Sequence, residues 1–252
     1  MLDLYQTIFM SSNMPIIDEN DTPKRISSLN WYFKGLIILF IAAFSATTGT
    51  VILHRWVNIP TTWLMAERYF VNSSTQFKPV NRQWVSIKSI SPHVVKAAIA
   101  AEDNLFPTHN GFDFESIRKA KKDITQGKRF RGASTISMQV SKNVYLWHNR
   151  TWTRKVFEAG FTVFIETLWS KKRIMEVYLN VAEFGPSIYG IEAASKKYFK
   201  KSAKDLNKSE AALMMTVLPS PLKRNPAKPS AYMKTYQQRV IKTMHNIGDV
   251  KL

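Results

Sequence analysis

Apolar and polar positions along the chain alternate in blocks of different kinds. From Gly35 to Leu53 nineteen residues pass without a charge, preceded by Trp31, Tyr32 and Phe33 and followed by Arg55 and Trp56. About twenty apolar residues in a helix span a ~30 Å hydrocarbon layer, and aromatic residues suit its two edges, so a membrane anchor is predicted over 31–55. Residues 1–30, with Asp18, Glu19, Asp21 and two prolines, read as a short flexible tail. Beyond the anchor the pattern turns amphipathic. Ser91-Pro92 is a helix start followed by the run HVVKAAIAAED, ending near Asn104. Further helices are predicted over 112–124, 135–144, 154–169, 171–181 and 188–199, then over AALMMTVL capped by Ser209-Glu210, and finally over 231–247. WLMAERYF, from Trp63, reads as a short amphipathic helix; no strand is predicted. The body, 56–252, is therefore mostly α and forms one domain.

Charge changes this picture. The 252 residues carry 36 Lys and Arg against 18 Asp and Glu, a net +18, and the part from His54 onward carries +19. Such a body calls for an anionic partner. Three basic residues before the span against two just after it favour the N-terminus inside and the body outside, where lipid-borne phosphate is a better partner than nucleic acid. With no Cys, a disulfide framework, a thiolate zinc site and a Cys nucleophile are excluded.

Among few acidic residues, two lie within apolar helices. Glu102 closes the run VVKAAIAA, where the negative end of the helix dipole and partial burial both raise a carboxyl's pKa. A proton-transfer role competes there with a plain hydrogen bond to Asn104 or His109. Glu158 follows Arg154 by four residues, and a surface ion pair is its default reading. Two carboxylates facing one cleft would suit sugar chemistry. Ser134, Thr135, Gln139 and Lys142 form a patch of donors for phosphate or sugar hydroxyls, with Arg150, Arg154 and Lys155 close behind. No G-x-S-x-G elbow, P-loop, H-E-x-x-H or D-x-D is present, and His93, His109 and His148 are scattered, which leaves no zinc site. Ser116/Lys119 and Ser220/Lys223 match S-x-x-K without its companion motifs.

Five ordered segments carry a resemblance to a known family. AAIAAEDNLF (97–106) with His109, Gly111 and Asp113; GASTISMQ (132–139) with Lys142-Asn143; RKVFE (154–158); KRIMEVYLN (172–180) with Phe184-Gly185; and SEAAL (209–213) through Leu218-Pro219 resemble the motifs of family 51 glycosyltransferases, the bacterial peptidoglycan transglycosylases. The resemblance covers about residues 90–225, and the short chain with one anchor is similar to the stand-alone form. It implies a mostly helical, lysozyme-like lobe with a small membrane-proximal lobe. It also implies polymerisation of lipid II into β-1,4-linked glycan with inversion and release of undecaprenyl pyrophosphate.

By the same resemblance Glu102 is the general base and Glu158 the second essential carboxylate. Lys142 and Arg150 fall on the pyrophosphate, and Ser134 and Gln139 on the donor sugar; Thr135, Asn143, Arg154 and Lys155 complete the expected binding set. No tightly bound cofactor is implied, with Mg2+ a candidate aid at the pyrophosphate. The implied setting is the bacterial inner membrane, with the body periplasmic and a cell-wall synthesis complex as a partner. The second motif departs from the family's pattern at Met138, where Gln is common. Competing readings are a muramidase of the same broad fold and a non-catalytic cationic cell-wall scaffold.

Overall fold

A computed structural model describes residues 24–72, 80–127, 134–147, 149 and 151–252. Two compact units emerge, residues 1–48 and residues 49–252. In the first, helix α1 (Lys24–Leu53) begins inside the segment read as a tail and ends in the second unit. Its Leu36, Ile38, Leu39 and Phe40 are all exposed around the helix. A helix apolar all round and uncovered by protein is suited to lipid, and Asn30–Leu53 is long enough to cross a bilayer.

The second unit holds helices α2 (Trp63–Asn72), α3 (Pro92–Glu102), α4 (Phe114–Thr125), α5 (Ile136–Tyr145), α6 (Trp152–Leu168), α7 (Lys171–Val181), α8 (Ile191–Phe199), α9 (Lys208–Met215) and α10 (Ala231–Asn246). The fold is mostly α, as the pattern predicts. Six of these helices start where a short polar side chain caps the first amides: Ser91 for α3, Asp113 for α4, Thr135 for α5, Thr151 for α6, Ser170 for α7, Ser230 for α10. For α9 the cap is Asn207 rather than Ser209: Asn207 Oδ1 accepts from Glu210 N while Glu210 Oε2 accepts from Asn207 N, a reciprocal capping box.

Among the described residues three short strands appear where none was predicted: β1 (Asn81–Arg82), β2 (Glu183–Gly185) and β3 (Ile188–Tyr189), in the order β1-β3-β2. β1 pairs with β3 in parallel, Asn81 opposite Ile188, and β2 pairs with β3 antiparallel. Ile188 and Tyr189, read as the start of a helix, belong to β3, and α8 begins only after Gly190. Segments of two or three residues are too short to show alternation, so only long-range pairing reveals them.

The core packs α3 against α9 and α10, and α5 against α6 and α7. Ala97, Ala98 and Ile99 of α3 meet Ala211, Ala212 and Met215 of α9 in one buried cluster. Small residues on both helices permit close approach and hold the C-terminal end of α3 still. The last turn of α1 and the stretch after it are clasped by side chains of the second unit. Trp169 Nε1 donates to Val51 O at 2.8 Å, Arg173 donates to the carbonyls of His54 and Val57, and Arg82 donates to those of Ile59 and Pro60.

Candidate active site

α3 ends at Glu102 and hands the chain to Asp103, whose buried carboxylate ties three segments together. It receives Ile136 N at 2.9 Å, at the positive end of α5, and His109 Nε2 at 2.9 Å. Gly111 N donates to His109 Nδ1 at 3.0 Å, so the proton on that ring sits on Nε2 and is donated to Asp103. Thr135, besides capping α5, donates its hydroxyl to Gly111 O at 2.7 Å. Lys171 closes the ring, donating to His109 O and Glu166, while Ser137 donates to Glu166 as well. This clamp fixes the end of α3 against the start of α5.

Gly111 is built into that clamp at φ +89°, and a Cβ there would lie 2.8 Å from Thr162 Cγ2 and 3.0 Å from Glu166 Cγ. Gly111→Ala is expected to lower Tm by about 5 °C in thermal denaturation, from the strained backbone and the crowding together.

With α3 and α5 so joined, Gln139 Nε2 donates to Glu102 Oε2 at 2.9 Å. The half-buried Glu102 carboxyl is pushed above the usual range by burial. The Gln139 bond, Lys142 and Arg224 pull it back, and Asp103 adds to the rise. Behind it, Tyr236 donates to Ala101 O at 3.3 Å, and its phenol is pushed up to about 12 by burial and by Glu102. Tyr178, fully buried, is pushed up in the same way. Both phenols stay neutral at ordinary pH, so neither adds a negative charge beside Glu102.

The second carboxylate is not at the surface. Glu158 is 2% exposed and Arg154 9%, which corrects the reading of a solvated pair. Arg154 Nη1 and Lys155 Nζ each donate to Glu158 at 2.5 Å, and Arg154 Nε donates to Asn149 O at 2.7 Å. Lys142 reaches the same place from α5 but makes no ion pair among the described residues. Burial lowers its ammonium below the ordinary value, with Arg154 and Lys155 adding to the fall and Glu158 opposing it. An ammonium crowded by cations and short of water is well placed to take an incoming anion.

Two cavities meet at Ser134. One, of about 370 Å3, has Glu102, Asp103, Asn104, Asp113 and Thr135 in its wall. The other, of about 280 Å3, is walled by Met138, Gln139, Lys142, Arg154, Lys155 and Glu158. Ser134 lines both, so the expected residues divide into a carboxylate side and a cationic side of one cleft. Thr135 lies there too, yet its hydroxyl is engaged as cap and clamp. Asn143 lines neither cavity. Arg150 lies outside the described residues, as does most of the basic loop at 126–132.

Asp103, His109 and Glu166 carry the geometry without having been singled out for a role in it. The Glu102-Asp103 pair was a sequence signal for this, since adjacent residues at a helix end point in different directions. Among the described residues no group of three or more His, Asp or Glu is placed to hold a metal ion. Both oxygens of Glu158 are engaged, so the cationic cavity does not fit a protein-held Mg2+, and the chemistry below uses none.

A carboxyl of raised pKa thus stands on one side of Ser134 and a cavity lined by cations on the other. The Transglycosylase family model matches residues 70–245. A biosynthetic peptidoglycan transglycosylase of Bdellovibrio bacteriovorus is 46% identical over 212 residues, 84% of this chain and 83% of the relative. One of Mannheimia succiniciproducens is 43% identical over 240 residues, 93% and 94% of the two chains, and one of Bacteroides thetaiotaomicron is 45% identical over 224 residues, 88% and 89%. The chain belongs to this transglycosylase family, and it is an enzyme of the glycosyltransferase class.

Proposed function

We propose that the chain is a peptidoglycan transglycosylase that polymerises lipid II. The growing glycan, still linked to undecaprenyl pyrophosphate, is the donor, and its pyrophosphate occupies the cationic cavity at Lys142, Arg154 and Lys155. The acceptor is the N-acetylglucosamine 4-hydroxyl of a second lipid II on the Glu102 side. Glu102 takes the hydroxyl proton as the oxygen forms a bond to the anomeric carbon, and the bond from that carbon to the pyrophosphate oxygen breaks on the opposite face. The configuration inverts, and undecaprenyl pyrophosphate leaves with the bonding electrons. Developing charge on it meets ammonium and guanidinium groups already in place.

The observation that carries this reading is the pairing of a high-pKa carboxylate with a cationic cavity across Ser134. A muramidase would need only the carboxylate side. A membrane setting suits α6, whose Trp152, Val156 and Val163 are exposed at 88, 70 and 54%, and the basic helix α4, with exposed Phe114, Ile117 and Ile124. In this proposal 1–30 is a cytoplasmic tail, 31–55 the anchor in the inner membrane, and 56–252 the periplasmic catalytic domain.

Purified protein in detergent with labelled lipid II should yield a ladder of longer glycans. Lys142→Glu is expected to lose at least about a hundredfold in rate while keeping the wild-type fold by circular dichroism. Wild-type polymerisation by that variant would remove the pyrophosphate from the cationic cavity.

A further inference from the structure

A third cavity, of about 500 Å3, is lined by Asn81, Pro186, Ser187, Lys197, Tyr198 and Asn225 among others, and includes neither Glu102 nor Lys142. Its wall is drawn from β1, the β2–β3 turn, α8 and the loop between α9 and α10. Asn81 N donates to Ser187 O at 2.8 Å, which ties two of these segments together.

The turn is locally unfavourable. Pro186 and Ser187 alone join β2 to β3, and proline followed by a residue at φ +59° is the pattern of a type II turn, where Gly or Asn is preferred at the second position. Among the described residues two non-glycines have positive φ, Ser187 and Lys200, and Lys200 ends the helix that supplies Lys197 and Tyr198. Backbone kept in such conformations with a side chain attached is concentrated at binding sites.

Several polar side chains here are exposed and have hydrogen-bonding capacity to spare. Among the described residues the side chains of Asn81, Ser187 and Lys197 have no hydrogen-bond partner. Asn225 Oδ1 accepts from Ala227 N at 2.9 Å, which fixes its amide and leaves the NH2 to donate. Tyr198 donates to Phe184 O at 3.0 Å and is held as an apolar wall; Gly185 makes room, since a Cβ there would strike the Tyr198 hydroxyl. Two amides, one hydroxyl, one ammonium and a ring face match an N-acetylated sugar bearing an occasional carboxylate. A polyphosphate would call for more than one cation.

Asn225 follows Arg224, which lies near enough to Glu102 to act on it and is held by Thr216 O at 2.6 Å and by the Tyr232 ring. One loop thus carries both a guanidinium that acts on Glu102 and a residue in the wall of this cavity. We propose that the cavity is a second saccharide site that holds glycan away from the reacting ends; the identity of that glycan rests on the polymerase reading above.

The test is binding of a soluble tetrasaccharide of alternating N-acetylglucosamine and N-acetylmuramic acid to the full chain in detergent, by calorimetry. Asn225→Ala is expected to weaken binding about fivefold and Lys197→Glu about tenfold or more, whereas Glu102→Gln leaves this affinity in place. Ser187→Gly relieves the turn, so it should raise Tm by about 2 °C and still weaken binding about fivefold. A purely structural serine would give the Tm rise with unchanged affinity, and that result overturns the proposal. Absence of tetrasaccharide binding, or binding indifferent to Lys197 and Asn225, overturns it too. Tetrasaccharide binding that depends on those residues, in a protein that leaves lipid II intact, would keep the site and remove the polymerase reading instead.

Discussion

Replacing Glu102 by Gln is expected to cut glycan formation by a factor of about 10^2 to 10^4 without unfolding the protein. Gln fills the same volume beside Gln139 and loses only the capacity to accept the proton. The pH profile of the wild type follows from two shifts. Activity needs Glu102 ionised, and burial raises its pKa, so the acid limb should lie above the ordinary carboxylate value of 4.5. Activity also needs Lys142 charged, and burial lowers its pKa, so the alkaline limb should lie below 10.5. Lipid II turnover measured across pH would show both limbs, and an acid limb at an ordinary carboxylate pKa would count against Glu102 as the base.

The same shift makes a stability statement. Because the folded pKa of Glu102 is raised, the folded state holds its proton more tightly than the unfolded chain does. The contribution is favourable below 4.5 and is lost as pH rises through the folded value. At neutral pH Glu102 therefore opposes folding, and Glu102→Gln should melt at or above the wild-type temperature. A variant that is both inactive and less stable would point to a structural carboxylate.

Glu158→Ala is expected to have the opposite profile: a large loss of stability together with loss of activity. The carboxylate is 2% exposed, and its removal leaves the Arg154 guanidinium buried with only Asn149 O as a partner. Breaking a buried pair by deleting one member costs about 3–5 kcal/mol, a fall of roughly 10 °C in Tm for a domain of this size. Thermal denaturation would measure it, with Glu158→Gln as the gentler comparison, since an amide oxygen can still accept from Arg154. Were Glu158→Ala to melt like the wild type, the pair would have to be solvated, as the i,i+4 spacing alone suggested.

The two carboxylates show how far sequence reasoning reaches. Glu102 was identifiable because an acidic residue ending an apolar helix is at odds with both the dipole and the core, and that conflict is local. Glu158 was identifiable only as a member of a motif, since its spacing to Arg154 fits a surface pair equally well. Burial separates the two cases, and burial depends on what α5 brings over it. The β strands were missed for the same kind of reason: two residues cannot display a period, and β1 lies more than a hundred residues from its partner β3.

The amino-acid sequence by itself determined the apolar span, the helical class, most helix starts and the residues with chemistry to offer. These properties come from neighbours within about four positions along the chain, through capping, periodicity and dipole effects. The tertiary structure alone decided that Asp103 clamps α3 to α5, that Gln139 meets Glu102, and that Ser134 stands between a carboxylate side and a cationic side. It also decided that Asn81, Ser187, Lys197 and Asn225 share one cavity. Contacts between distant segments depend on how small residues let helices approach and on which polar groups find partners once water is excluded. No local pattern encodes either.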